Sequence, residues 1–133
     1  MNAQPPRKKF SWSWSKLKNY RTCPKRHYEI DLAKNVKEAD SEALLWGNQV
    51  HDALAKRIDK GIILPPTMQR YDDWPRRILD ASTGMKIKVE NKLAMDEQFQ
   101  PCGFFDPSTW FRAVIDVLGI LPPASRAAFT IDW

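Results

Sequence analysis

Asp116 and Asp132 stand where charge is expensive. Each interrupts an otherwise apolar run, Ala113-Val114-Ile115-Asp116-Val117-Leu118 and Ala128-Phe129-Thr130-Ile131-Asp132-Trp133. A carboxylate inside such a run is costly to desolvate unless it is paired or holds a cation. If the two runs are strands joined by a short connection, their carboxylates can lie side by side on one sheet face. Such a pair repels itself and raises one pKa, unless a divalent ion sits between them. Oxygen donors of this type suit Mg²⁺ or Mn²⁺, which keep several waters and gather phosphates. Strand-end aspartates facing water fit the same spacing, and both readings stand on the residues alone.

His51 is the next candidate. It lies in Trp46-Gly47-Asn48-Gln49-Val50-His51-Asp52, with Gly47 one helical turn before it on the same face. A glycine inside a helix costs about 1 kcal/mol, which suggests close approach of another backbone or of a ligand beside the imidazole. The plainer reading is a satisfied core histidine.

The elements that must position these groups follow from pattern. A short helix capped by Ser11 or Ser13 is expected before Cys23-Pro24, and a second turn or helix with Pro24 at its first position. Ser41–Lys60 reads as the clearest helix, with Leu44, Leu45, Val50, Leu54 and Ile58 at helical spacing and Gly61 after its end. Pro65-Pro66 reads as a loop, and Asp72–Ala81 as a further helix with Pro75 in its first turn. The period then changes: Ile87, Val89, Leu93 and Met95 alternate with polar residues, predicting a strand over Met85–Gln98. Trp110–Leu121 reads as a second strand after a turn-rich connection, and Ala127–Trp133 as the start of a third. Helices followed by a three-strand meander predict an α/β layer arrangement.

Composition narrows the classes. The chain has 133 residues, 43% of them hydrophobic and 11% aromatic, which excludes a wholly disordered polymer. It has no apolar run of membrane-spanning length and no secretory h-region, so a cytoplasmic protein without a membrane is expected. Cys23 and Cys102 are too few for a disulfide scaffold. The net charge of +5 is unevenly placed: residues 1–27 carry eight Lys and Arg and no acid, which leaves −3 for the remainder. A basic head on a mildly acidic body suggests a polyanionic partner, most simply nucleic acid. A solvated tail kept for solubility is the alternative. Residues 1–10, with Pro5 and Pro6, read as a disordered basic leader.

Together these residues resemble a known family. Ser13-Trp14-Ser15-Lys16-Leu17-Lys18-Asn19-Tyr20-Arg21-Thr22-Cys23-Pro24-Lys25-Arg26-His27-Tyr28 looks like the opening signature of RecB-like nucleases of the PD-(D/E)XK superfamily. Gly47-x3-His51 resembles the motif on its next helix, and Val89-Glu90 its first core strand. Ala113-Val114-Ile115-Asp116 is similar to its Gly-x-Ile-Asp strand, with Ala113 where glycine is usual. Thr130-Ile131-Asp132-Trp133 resembles the stretch that precedes its catalytic Lys. The resemblance implies a restriction-endonuclease-like α/β core on a mixed sheet, and an Mg²⁺- or Mn²⁺-dependent DNA nuclease of the exonuclease type in recombination, repair or phage DNA metabolism. It implies His51, Asp116 and Asp132 as catalytic metal ligands, with the backbone carbonyl of Trp133 as a possible fourth. Lys16, Lys18, Arg21, Lys25 and Arg26 would contact DNA phosphates. Trp12, Trp14 and Tyr20 would stack on unpaired bases, with core packing the alternative that helical spacing favours for Trp14 and Tyr20.

Further expectations attach to that resemblance. Glu90 is a looser metal-ligand candidate, set against an exposed strand residue paired with Lys88 or Lys92. Some relatives bind an iron–sulfur cluster through the cysteine of this signature and three later ones; with no such triplet here, no cluster is expected and Cys23 is read as buried and structural. A zinc site from Cys23, His27, His51 and Cys102 is a remote option, with only Cys23-x3-His27 closely spaced. The family's Lys, two residues after the second acidic ligand, would fall at position 134. Residues 11–133 are therefore expected to be the N-terminal part of a nuclease domain, a fragment inactive by itself. Helicase or recombination partners stay unidentified, and a non-catalytic DNA-binding module is the alternative function.

Overall fold

Capping chemistry sets the helix boundaries. The structure is a computed structural model and describes residues 9–133. Residues 1–8 of the expected leader, with Arg7 and Lys8, lie outside the described residues. Helix α1 (Trp14–Thr22) starts where Ser13 Oγ accepts the Lys16 N–H, and it stops at Cys23, whose backbone is extended. Pro24 then opens α2 (Pro24–His27), because a missing N–H costs nothing in a first turn. A π-helical turn over Tyr28–Leu32 continues it. Helix α3 (Glu42–Lys60) begins at Ser41, whose Oγ accepts the Leu44 N–H at 3.1 Å. It ends at Gly61, where φ of 68° favours a residue without Cβ. A 3-10 turn, Pro66–Tyr71, occupies the expected loop, and α4 (Asp73–Ala81) follows.

The strands are β1 (Lys86–Met95), β2 (Phe111–Ile120) and β3 (Ala128–Ile131), in sheet order β1-β2-β3. Strands β2 and β3 are antiparallel, with Val117 opposite Ile131 and Gly119 opposite Phe129. The three-strand sheet is antiparallel, not the expected mixed one; Trp12 adds only an isolated one-residue parallel bridge to Phe111, its N–H donating to Trp110 O at 2.7 Å. Strand β3 is shorter than the expected Ala127–Trp133.

The chain divides into two compact units. The first comprises residues up to Ala39 with Lys92–Val114. At its centre His27 is buried, its ring stacked on Trp12 at 5.2 Å and met edge-on by Phe10 and Tyr20. The last two residues of the expected leader are held here: Phe10 packs on Trp12, and Lys9 pairs with Glu97 at 2.9 Å. Aromatic surface and an acidic partner outweigh the chain entropy that the composition suggested would keep them loose.

The second unit comprises Asp40–Asn91 with Ile115–Trp133. One face of α3 supplies Leu54 to a cluster with Leu64 and Met68, and Ile58 to a cluster with Ile78 and Val117. Each such side chain contributes roughly 1.5–3 kcal/mol on burial. Leu44 and Leu45, which share the helical spacing, are exposed. Arg57 of α3 donates to Asp72 at 2.9 Å and Arg76 of α4 adds a bond at 3.0 Å, clamping the two helices. The Arg57 hydrogen bond holds the Asp72 carboxyl below its ordinary 3.8. Trp133 packs against both clusters. No described helix is long and apolar enough to cross a membrane.

Candidate metal centre

The β2–β3 register places the two aspartates. The ladder ends at Val117 opposite Ile131, and one step further the same register sets Asp116 against Asp132. Asp116 is 8% exposed, whereas Asp132 is open to solvent. The Trp133 N–H donates to Asp116 Oδ2 at 3.1 Å and so fixes that carboxyl. From α3, His51 brings its Nδ1 to 3.7 Å from the same oxygen and its ring edge-on to Trp133. Three elements of one unit thus converge on Asp116.

The electrostatics follow. Burial pushes the Asp116 carboxyl above its ordinary 3.8. The Trp133 N–H pulls it back, the neighbouring Asp132 carboxyl pushes it up, and His51 opposes that push. Two carboxyls set opposite each other on adjacent strands are an oxygen donor set for a cation. The chemistry of the set therefore fits Mg²⁺ or Mn²⁺. Among the described residues, no three His, Cys, Asp or Glu side chains are already drawn together tightly enough to hold an ion.

Other expected residues fall elsewhere. Glu90 is exposed, with a left-handed φ of 49°, and forms no ion pair with Lys88 or Lys92 among the described residues. A Cβ on Gly47 would meet nothing within 4 Å, so no neighbouring backbone demands glycine there. Cys23 is exposed, not buried, because the extended residue between two short helices turns its side chain out. Trp14 is 66% exposed and Tyr20 48%, which removes Trp14 from the core while Tyr20 packs on His27 with part of its ring.

The basic residues of Lys16–Arg26 all belong to the first unit, and they are not equivalent. Lys18 and Arg21 line an open concavity with Trp14 and Thr22. Arg26 pairs with Glu38 and donates to Asn19 at 3.3 Å. Lys16 donates to Ser11 O at 2.7 Å and lies over the Phe10 ring. Sequence reasoning missed the buried His27–Asp31 pair, with Nδ1 and Oδ2 2.8 Å apart. Its i,i+4 spacing was the available signal.

A family model described as the PD-(D/E)XK nuclease superfamily matches residues 11–116, from the start of the basic signature through the buried aspartate. Asp132 and Trp133 lie past the matched stretch. Comparisons with curated proteins and with solved structures gave no match.

Proposed function

Since the chain belongs to the PD-(D/E)XK nuclease superfamily, we propose that it is a divalent-metal-dependent deoxyribonuclease of the RecB-like type whose ion is held by Asp116, Asp132 and His51. The observation that carries this reading is the Asp116 carboxyl, buried in an apolar strand, fixed by the Trp133 N–H and set by the strand register opposite Asp132. Trp133 positions it through its N–H, and its backbone carbonyl is the fourth proposed donor. When bound, Mg²⁺ or Mn²⁺ polarises a phosphate and lowers the pKa of a water. The chain's own residues do the rest: Asp116 and Asp132 fix the charge, His51 closes one side, and the cations of Lys16–Arg26 draw in the DNA backbone. The resemblance of Ser13–Tyr28 and of Gly47-x3-His51 to the RecB-like signatures supports the subtype and a place in recombination, repair or phage DNA metabolism.

Calorimetric titration with Mn²⁺ tests the centre. Binding is expected in the wild type, absent in Asp116→Ala and Asp132→Ala, and weakened roughly tenfold or more in His51→Ala. Equal affinity in all four proteins would remove the site. The resemblance also calls for a Lys two residues after Asp132, and residues 1–133 contain no counterpart. A polypeptide of these residues is therefore expected to bind Mn²⁺ and duplex DNA without cutting it, the behaviour of a DNA-binding module. Metal-dependent cleavage by that polypeptide, lost in Asp116→Ala, would show that water activation needs no such Lys.

A further inference from the structure

The first unit holds a cavity of about 580 Å³ in which four cations project among apolar and polar residues. Lys9, Lys16, Lys34 and Arg112 line it against a single carboxylate, Asp31. That carboxylate is already engaged, its Oδ2 lying 2.8 Å from His27 Nδ1 and accepting from Asn19 at 3.2 Å. Lys9 is likewise engaged with Glu97. Lys16, Lys34 and Arg112 are left with more positive charge than the cavity wall neutralises.

Two further observations show that this crowding is built in. Arg112 Nε is buried without a hydrogen-bond partner, a cost in the folded protein that marks how tightly this cation is held at the cavity wall. Lys34 sits at φ of 55°, a left-handed backbone that disfavours lysine, and its side chain still lines the cavity. Burial holds the Lys16 ammonium below its ordinary 10.5; Asp31 opposes this, and the charges of Arg112 and Lys34 add to it. A dianionic oxygen ligand in the cavity would offset the mutual repulsion of the three cations.

We propose that Lys16, Lys34 and Arg112 form a phosphate-binding pocket in the first unit. The phosphate chemistry is common to a nucleic-acid backbone and to free phosphate. Assigning it to nucleic acid rests on the proposed nuclease reading, whereas the pocket itself does not.

The test is run in EDTA, so that the aspartate centre contributes nothing. Inorganic phosphate and a 12-base-pair duplex are titrated separately into the wild type, Lys34→Gly and Arg112→Gln. Lys34→Gly removes the charge while relieving the left-handed backbone, so its fold is expected to be retained or improved in a thermal melt. Inorganic phosphate is expected to bind the wild type and to lose about tenfold in affinity in either variant, a loss typical of a charge-assisted hydrogen bond. If the duplex loses affinity in parallel and its salt dependence becomes shallower, the pocket holds a backbone phosphate. If only inorganic phosphate is affected, the pocket stands as a free-phosphate site and its nucleic-acid assignment falls. Unchanged affinity for both ligands in a folded Lys34→Gly protein overturns the pocket, whatever the Mn²⁺ titrations show.

Discussion

Asp116 carries a conflict between stability and chemistry. A carboxyl whose folded pKa exceeds its unfolded value favours the fold only while protonated; that contribution is lost as pH rises from 3.8 through the raised value. Without metal, ionised Asp116 therefore works against folding at neutral pH. Asn at this position keeps an oxygen for the Trp133 N–H and carries no charge. In EDTA at pH 7, Asp116→Asn is expected to melt above the wild type, with a flatter profile between pH 4 and 7, while losing Mn²⁺ binding. A lower melting temperature would show that the carboxylate is satisfied without a cation. The cost of charge in apolar runs made both aspartates legible in the sequence. The bond from Trp133 was not legible, because a backbone donor leaves no mark on residue type. Cys23 shows the converse: its residue type pointed inward, and a break between helices turned it out.

At the level of elements, β3 is the weak link in the centre, since it contributes Asp132 just beyond a strand of four residues. Its register depends on Gly119, which lies directly opposite Phe129. A Cβ at Gly119 would overlap the Phe129 ring, which covers the glycine as aromatic residues cover bare positions in twisted sheets. Gly119→Ala is expected to cost about 1–3 kcal/mol by overpacking and to weaken Mn²⁺ binding although no ligand is touched. Adding Phe129→Ala removes the clash, and the double variant should recover metal affinity relative to Gly119→Ala alone. Unaltered Mn²⁺ affinity in Gly119→Ala would mean that Asp132 is held independently of the strand. Alternation and turn residues were enough to locate the strands to within a few residues. The Gly119–Phe129 pairing depends on register, which a four-residue strand does not encode by itself.

Charge is partitioned between the two units of the molecule. The first carries 12 Lys and Arg against 6 Asp and Glu, the second 9 against 10. Excess positive charge is thus concentrated in one unit and the candidate metal centre in the other. Each phosphate neutralised on duplex DNA adds about 0.9 to the salt dependence of binding. A cation already paired within the protein adds less, since its own carboxylate competes for it. Lys18 and Arg21 line an open surface beside the exposed Trp14, whereas Arg26 is held by Glu38. In EDTA, Lys18→Ala with Arg21→Ala is expected to reduce the slope of log affinity against log salt by about 1.8. Lys25→Ala with Arg26→Ala should reduce it by only about 0.9, the share of Lys25 alone. Measured by fluorescence anisotropy on one labelled duplex, the ordering of the two double variants is the decisive readout. Equal and full losses would show that Glu38 releases Arg26 to the DNA, and no loss in either would place these cations on a solvated face that the phosphates never reach.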